Sequence, residues 1–337
     1  MSFAGGGSHG LYYTPEVTFG VTPVNPAWIP LRHTSCNLGL KRDQFESKEL
    51  RSDRAITDLR LGTYKVEGDI GIELSYGSFD TLLQAFMGGS WAANVLKQGT
   101  TQRSFSILRR FNDITQYKVF TGCSPNKLAL EFKPGGMITG TFGFVGANMT
   151  TTLPAGSTYF AADTNSPMDT FSASIQEGGV AFALASSISL SLENGLDANL
   201  VIGSKYTPQI TWGRSKITGK LVAFFEDMTI FNKFLNETAS SLQFVTTSPD
   251  GLETFTWLMS NLKYTTGDDP VKDEKAIEID MGFFALHDTS NTNLKITRSA
   301  PPTSLSPSVS PSVSPSLSPS ISPSISPSIS PSVSPSS

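Results

Sequence analysis

The residue types that most often carry catalytic chemistry are few in this chain and widely separated. The three histidines, His9, His33 and His287, lie in a Gly-rich N-terminus, a Pro-bounded segment and a strand end, and none is near a convincing nucleophile in the sequence. The motifs of phosphate-binding loops, zinc proteases, serine esterases and dinucleotide-binding folds are all missing. We therefore expect no enzyme activity, no catalytic residue and no cofactor.

Two groups of acidic residues suggest other chemistry. The run GDDPVKDE at residues 267–274 offers oxygen ligands for calcium, but it lacks EF-hand spacing and contains Pro270. An acidic surface turn is the expected structure there, and no metal is predicted. A glycan-cleaving enzyme would need two carboxylates that face each other in a cleft, and the scattered Glu131, Glu193 and Glu226 do not establish such a pair.

Length and composition exclude several classes of protein. A chain of 337 residues with 38% hydrophobic residues can bury a core of one or two globular units. A net charge of −4 argues against a protein that binds nucleic acid through clustered cations. We expect no signal peptide and no membrane span, because no apolar run approaches about 20 residues. Cys36 and Cys123 are too few for a disulfide scaffold, so we expect buried free thiols, with a single disulfide as the alternative.

Most of the chain has the pattern of antiparallel β-strands. Apolar and polar residues alternate, with many β-branched and aromatic residues, in five stretches: residues 128–132, 137–146, 187–193, 220–225 and 276–284. Two stretches have helical spacing instead, residues 78–89 and 228–237, with Ser78 and Asp227 as candidate N-caps. The predicted fold class is mainly β, with two short amphipathic helices.

The same elements occur twice in the same order. When the two predicted helices are aligned, Gly68 falls on Gly219, an offset of 151 residues, and the alternation of apolar residues is preserved through strand and helix. Further along, FGF at residues 142–144 matches MGF at residues 281–283. Agreement in the order of elements favours a tandem duplication over coincidence.

The C-terminal segment has a different composition. From residue 305 the chain repeats SPSV, SPSL or SPSI with a period of four, and proline at every fourth position excludes both a helix and a central strand. An extended spacer is expected, with an ordered solenoid on a partner as the alternative. The predicted domain organisation is an N-terminal arm (1–30), a first β domain (31–150), a linker or insertion (151–186), a second β domain (187–290), and a linker with the Ser/Pro tail (291–337).

The segment at residues 40–65 is unusually long and charged for a connection between two strands. Its composition suits an extended hairpin that leaves its own domain and contacts another subunit, and a solvated flexible loop is the alternative. Alternating charges in this segment would give register-specific ion pairs across a repeated interface. The predicted contact residues are Arg51, Asp53, Arg54, Asp58 and Arg60.

Several of these segments together resemble a known family. The run SKELRSDR at residues 47–54, VEGDI at residues 66–70, the spaced residues from Glu73 to Leu83, Trp91 and FTG at residues 120–122 occur in the order found in tail tube proteins of long, non-contractile-tailed bacteriophages. The resemblance covers roughly residues 25 to 290. It is weakest at the Ser/Pro tail, where some relatives carry an immunoglobulin-like module.

The resemblance implies two tandem β-sandwich or barrel units, each flanked by a short helix, in a structural protein of the virion. It also implies that sheets join laterally into rings, which stack into a tube through which DNA passes without specific binding. The duplication then predicts a ring of three chains with six pseudo-equivalent units, with a hexamer of chains as the alternative. Implied partners are the tail terminator, tape measure and tail-tip proteins. A surface adhesion module on a Ser/Pro stalk is the alternative function.

Overall fold

The computed structural model describes residues 3–271, 274 and 276–299. The Ser/Pro repeat lies outside the described residues. The prediction that it forms an extended spacer therefore stays a prediction. The described chain is mainly β, as the alternation of residues predicts. It contains two α-helices, α1 (Asp80–Met87) and α2 (Thr229–Leu235), and one 3-10 turn, Gly6–Ser8.

The strands of the first half of the chain are the following: β1 (His9–Pro15), β2 (Ala27–Pro30), β3 (Ser35–Cys36), β4 (Gly39–Glu46), β5 (Leu59–Glu73), β6 (Val95–Lys97), β7 (Phe105–Phe111), β8 (Gln116–Phe132), β9 (Thr139–Gly146) and β10 (Asn148–Thr150). Those of the second half are β11 (Thr158–Tyr159), β12 (Ser174–Glu177), β13 (Val180–Ala181), β14 (Ala185–Glu193), β15 (Asp197–Asn199), β16 (Gln209–Thr211), β17 (Lys216–Phe224), β18 (Ser240–Thr247), β19 (Thr254–Tyr264), β20 (Glu278–Ala285) and β21 (Lys295–Arg298). All five predicted strand stretches fall on strands, namely β8, β9, β14, β17 and β20.

Both predicted caps, Ser78 and Asp227, lie one residue before the N-cap of their helix. Ser78 is not the N-cap of α1; Phe79 holds that place, and the Ser78 hydroxyl is hydrogen-bonded to Ser75 at 2.6 Å. Asp227 lies one residue before the N-cap of α2, where its carboxylate accepts the N–H of Thr229 at 2.7 Å. Gly88 ends α1 with φ of 59°, a left-handed conformation that glycine adopts without steric cost.

One antiparallel sheet runs without interruption through both halves of the chain, and we call it the long sheet. Its strands follow the order β4, β5, β9, β8, β14, β17 and β20, with β3 in line with β4. The residues after β19 add an eighth line beside β20, because Thr265 donates its N–H to the carbonyl of Gly282, and Asp268 and Asp280 exchange two backbone hydrogen bonds. The two edges of the long sheet are the β3–β4 line and residues 265–271.

Each half of the chain packs a second layer against the long sheet. In the first half, β1, β7, the N-terminal part of β8 and β10 pair in that order; in the second half, β12, β18, β19 and β21 do the same. Strands β8 and β19 each pass from one layer into the other. The buried apolar side chains lie between the layers and beneath the helices, which gives a β-sandwich in each half.

The two halves repeat not only the order of strands but also their register. Gly68 of β5 lies opposite Phe144 of β9, and Gly219 of β17 lies opposite Phe283 of β20. This confirms the alignment of Gly68 with Gly219 and the match of FGF with MGF. We refer to β1–β10 with α1 as the first repeat and to β12–β21 with α2 as the second repeat.

Even the irregularities of pairing are repeated. In the β7–β8 pair the register shifts between Phe105 and Ile107, and in the β18–β19 pair it shifts between Ser240 and Leu242; in both, the extra residue lies on the second strand. A bulge breaks the ladder of hydrogen bonds and has no reason to occur at one matched place by chance. The common bulge is therefore strong evidence for an internal duplication.

Strand pairing crosses two of the predicted domain limits. Strand β1 lies before residue 30 but pairs with β7 over seven residue positions, and β12 lies in the predicted linker but pairs with β18. Both repeats belong to one compact unit. The finer division into domains stays a prediction.

Candidate assembly surfaces

One face of the long sheet is apolar and buried, and the other is polar and open. Along β14, Ile188, Leu190 and Leu192 are buried, and the residues between them are serines that are partly exposed. The same alternation of buried and partly exposed or exposed residues holds in β17 and β20. The open face of the sheet therefore carries mainly serine, threonine and charged side chains, with the apolar Val222, Phe224 and Phe284 among them.

Lysines on this open face lie next to carboxylates. Four ion pairs join lysines of the sheet to acidic residues on neighbouring strands: Lys41–Glu67 at 2.6 Å, Lys65–Asp43 at 2.9 Å, Lys127–Glu193 at 3.9 Å and Lys220–Asp280 at 2.7 Å. An exposed pair adds little to stability. Its effect here is that the positive charges of the face are compensated by adjacent negative ones.

The charged segment predicted to reach another subunit forms an exposed hairpin. Strands β4 and β5 extend it to residues 46 and 59, and the connecting residues 47–58 are exposed except for the partly exposed Ser47. We call these residues the first arm. The predicted extended hairpin is present, and its contact with another subunit stays a prediction.

Four of the five predicted contact residues of this hairpin make local ion pairs. Arg51 pairs with Asp53 at 2.7 Å, and Arg60 pairs with Asp58 at 2.9 Å. The pairing raises the pKa of Arg51 and lowers that of Asp53. Arg54 has φ of 59° at the turn that follows, which directs the chain back towards β5.

A second, less charged hairpin, the counterpart of the first in the duplicated sequence, lies beside it. The connection from β14 to β17, residues 194–215, contains the β15–β16 ladder, and residues 200–202 at its tip are an exposed Leu-Val-Ile run. We call residues 194–215 the second arm. Tyr64 of β5 donates its N–H to the carbonyl of Lys205 at 2.8 Å, and the rings of Tyr64 and Tyr206 lie 5.1 Å apart. Both arms therefore project from the same end of the long sheet.

Two of the histidines meet in space, although they are 24 residues apart in sequence. Nδ1 of His9 lies 2.9 Å from Nε2 of His33, and Arg109 donates to Nε2 of His9 at 3.1 Å. Burial, then the charge of Arg109, lowers the pKa of His9 to about 4. Burial also raises the pKa of the nearby Cys36 thiol, so this group is not an activated nucleophile.

The carboxylates considered for glycan cleavage do not form an opposed pair. Glu131 and Glu193 lie on the same open sheet face, each beside its own lysine, and Glu226 is exposed in the connection between β17 and α2. The residues that the structure describes contain no cluster of three or more His, Cys, Asp or Glu able to hold a metal ion. Both cysteines are free thiols, with Cys123 fully buried.

A comparison with known protein families identifies one whose members are structural proteins, in agreement with the repeated β unit described above. Residues 6–285 match the family model described as phage tail tube protein. The chain belongs to this family. The match covers the first repeat and the second repeat as far as β20, so the duplication lies within the family region rather than beside it.

Membership of the tail tube family places the protein in the virion tail as a structural component. Tail tube proteins oligomerise and contact other tail proteins, so surfaces for other chains are expected on this fold. None of the curated proteins searched matches the chain. No helix among the described residues is long and apolar enough to cross a membrane.

Proposed function

We propose that this tail tube protein is the major tube subunit of a long, non-contractile phage tail, and that three chains form one ring of six pseudo-equivalent units. The observation that carries the proposal is the repeated pairing register. Each chain supplies two copies of one β unit, joined edge to edge through β8 and β14. Three chains joined in the same sense would make a closed cyclic ring by heterologous contacts.

The open face of the long sheet is then the wall of the lumen. Three sheets of eight lines each, closed edge to edge, give a backbone circle of about 37 Å diameter at a strand spacing of about 4.8 Å, and strand tilt makes it wider. Barrels with fewer strands already leave an aqueous channel. A lumen of this size is wide enough for duplex DNA.

The paired lysines explain how such a wall lets DNA move. DNA binds proteins mainly through free cations that displace counterions from phosphates. On this face Lys41 and Lys220 are compensated by Glu67 and Asp280, which leaves little positive charge to hold a phosphate.

This account of the wall makes a testable prediction. Glu67→Gln with Asp280→Asn should make assembled tubes retain duplex DNA at low salt, measured by co-sedimentation at increasing salt. Glu237→Gln, outside the long sheet, is the matched control. Equal retention by wild type and the double variant would contradict this account of the wall.

Stacking of rings is assigned to the two arms, which project from one end of the sheet. The ion-paired first arm and the apolar tip of the second arm offer different chemistry to the next ring. A tail terminator at one end of the tube, a tip complex at the other and a tape measure protein within the lumen would complete the assembly.

The ring is tested by electron microscopy of the purified full-length protein, with native mass spectrometry of the same sample. Rings of six lobes with the mass of three chains are expected. Six-lobed rings with the mass of six chains would support the tube function but contradict the proposal that each chain supplies two of the six units. Monomers at every concentration would contradict the proposed function.

A further inference from the structure

The junction between the two repeats is a strand pair with a defined register. Leu130 of β8 lies opposite Leu190 of β14, and Asn194 donates its N–H to the carbonyl of Asn126 at 2.8 Å. Hydrogen-bonded positions alternate along an antiparallel pair, so residues with even numbers bond across this junction on both strands. This junction shows how one β unit of the family fold joins the next.

The first edge of the long sheet, the β3–β4 line, holds the place in the first repeat that β14 holds in the second, but it lacks a partner strand in the described part of the chain. Cys36 lies opposite Ile70 as Ile188 lies opposite Leu221, so the β3–β4 line is the counterpart of β14. Asn37 donates its N–H to Asp69 of β5. Its neighbours at positions 36, 38 and 40 therefore point their backbone groups away from β5. Among the described residues no strand pairs with this side.

The second edge, residues 265–271, holds the place in the second repeat that the C-terminal part of β8 holds in the first, and it also lacks a partner strand among the residues that the structure describes. Asp268 lies opposite Asp280 as Ala129 lies opposite Thr141, so residues 265–271 are the counterpart of residues 126–132. Asp268 uses both its N–H and its carbonyl towards β20. Positions 267, 269 and 271 therefore present their backbone groups outward. Pro270 lies at an inward-facing position, so its missing N–H does not weaken the outer edge.

We infer that residues 266–271 of one subunit pair with residues 36–41 of the next subunit, in the register of the internal β8–β14 junction. Val271 then lies opposite Cys36, Asp269 opposite Leu38 and Gly267 opposite Leu40. The inference rests on the proposed ring and names the strands that close it. The acidic turn that resembled a calcium loop is thus the edge strand that receives the neighbouring subunit.

The side chains at the free edges match this register. At the internal junction, Phe132 is only 7% exposed, and its ring packs on Phe244 with centroids 4.6 Å apart. Val271, the counterpart of Phe132, is 73% exposed in the single chain. The matched cavity at the free edge is lined by Cys36 and Arg109 and has a volume of about 320 Å³. It leaves room for the side chain of Val271 from the neighbouring subunit.

Opposite charges on the two free edges favour head-to-tail pairing of subunits. Arg109 occupies the position that Phe244 holds in the second repeat, because Arg109 lies opposite Leu11 as Phe244 lies opposite Ile175. Asp269 likewise occupies the position of Leu130. In the proposed register the positions of the apolar Leu130 and Phe244 are therefore held by Asp269 and Arg109, two opposite charges that favour head-to-tail pairing and disfavour pairing of like edges.

A cysteine cross-link tests the register directly. Val271→Cys places a thiol opposite the native Cys36 of the neighbouring subunit, at a Cα separation of about 5.5 Å that a disulfide can span. Within one chain the two edges are seven strand spacings apart, roughly 34 Å in a flat sheet, so the link must be intermolecular. Cys123 is fully buried and does not compete. Because residue 271 is exposed, the substitution should not disturb folding.

Mild oxidation of the assembled variant should give covalent dimers and trimers on a non-reducing gel, with a peptide that links positions 36 and 271. Adding Cys36→Ser should abolish them. Asp268→Cys, three residues out of register on the opposite face, should not cross-link. Three-chain rings without the linked peptide would overturn this pairing and leave the tube function standing. If the wild type forms no rings, the proposed function and this pairing both fail.

Discussion

Helices α1 and α2 hold matched places in the two repeats but bury different amounts of side chain. Helix α1 buries Leu82, Leu83, Ala85, Phe86 and Met87, whereas α2 buries Ile230 alone. On α2, Met228 and Leu235 remain more than half exposed. Backbone pairing has been retained in both repeats because unpaired N–H and carbonyl groups are costly, whereas side chains have diverged. The first helix stabilises the core, and the second leaves apolar surface exposed.

The retained backbone predicts equal effects at the two matched glycines. A Cβ at Gly68 would lie 2.5 Å from the Cα of Leu38, and one at Gly219 would overlap the carbonyl of Ser189 and the ring of Phe283. Gly68→Ala and Gly219→Ala should each lower the free energy of unfolding by about 3 kcal/mol or more, because neighbouring strands must separate. Denaturant titration followed by circular dichroism measures both.

Gly136→Ala is the control for this pair, since a Cβ there meets no atom within 4 Å. It should unfold like the wild type. A large loss at Gly68 with no loss at Gly219 would show that the repeats do not share the constraint that their common register implies.

The diverged side chains predict unequal effects at the matched helix positions. Leu83→Ala removes a fully buried side chain and should cost about 3 kcal/mol. Phe234→Ala, 151 residues later, removes a larger but half-buried side chain and should cost about 1 kcal/mol in the single chain. The same denaturant titration compares them, at protein concentrations low enough to keep the chain monomeric. Equal losses would contradict the difference between the helices.

Local patterns were sufficient to predict the repeated fold. Alternation along residues 187–193 and 276–284 marks strands with one buried face, and the spacing of Gly68 and Gly219 fixes the alignment of the repeats. The cap at Ser78 was wrong because Ser78 bonds Ser75 instead, a choice that depends on tertiary contacts.

The assembly surfaces were only partly visible in the sequence. Charge alternation drew attention to the first arm, but the apolar tip at residues 200–202 gave no periodic signal. The acidic run at residues 267–274 resembled a loop because Pro270 and Gly267 are turn residues. Only the two backbone hydrogen bonds between Asp268 and Asp280 show that this run lies beside β20 and extends the long sheet. A strand is at an edge because no other strand pairs with its outer side. A local sequence pattern does not show which strands pair, so it cannot identify an edge.

One ionisable contact of α1 has no counterpart at α2 and predicts a pH dependence. Asp80 of α1 is buried beside Arg298, and the matched position in α2 is Phe231. Burial outweighs the arginine and raises the pKa of Asp80 to about 6. Oδ1 of Asp80 has no hydrogen-bond partner among the described residues. A raised pKa means that the stabilising effect of the protonated form is complete below about pH 4 and is lost as pH rises through 6.

The expected loss across this range is at most about 3 kcal/mol, since one pKa unit corresponds to about 1.4 kcal/mol. Urea titrations of the wild type and Asp80→Asn at pH 4, 5, 6 and 7 separate the loss of stability due to Asp80 from that of other groups. The free energy of unfolding of the wild type, relative to the variant, should fall as pH rises. A constant difference would show that Asp80 titrates normally in the folded chain.

The smallest effect on folding is expected at the first arm, where the effect on assembly should be largest. Arg51→Glu with Arg54→Glu should leave the melting temperature of the isolated chain unchanged, because both side chains are exposed, but should shorten tubes measured by electron microscopy. The local pair of Arg51 with Asp53 permits a sharper test. The exchange Arg51→Glu with Asp53→Arg retains that pair but changes the charge pattern that the next ring meets. If the exchanged protein stacks like the wild type, the charges act only within the hairpin, and the contact assigned to the first arm is wrong. If it shortens tubes while rings still form, the first arm joins rings, whereas the sheet edges close them.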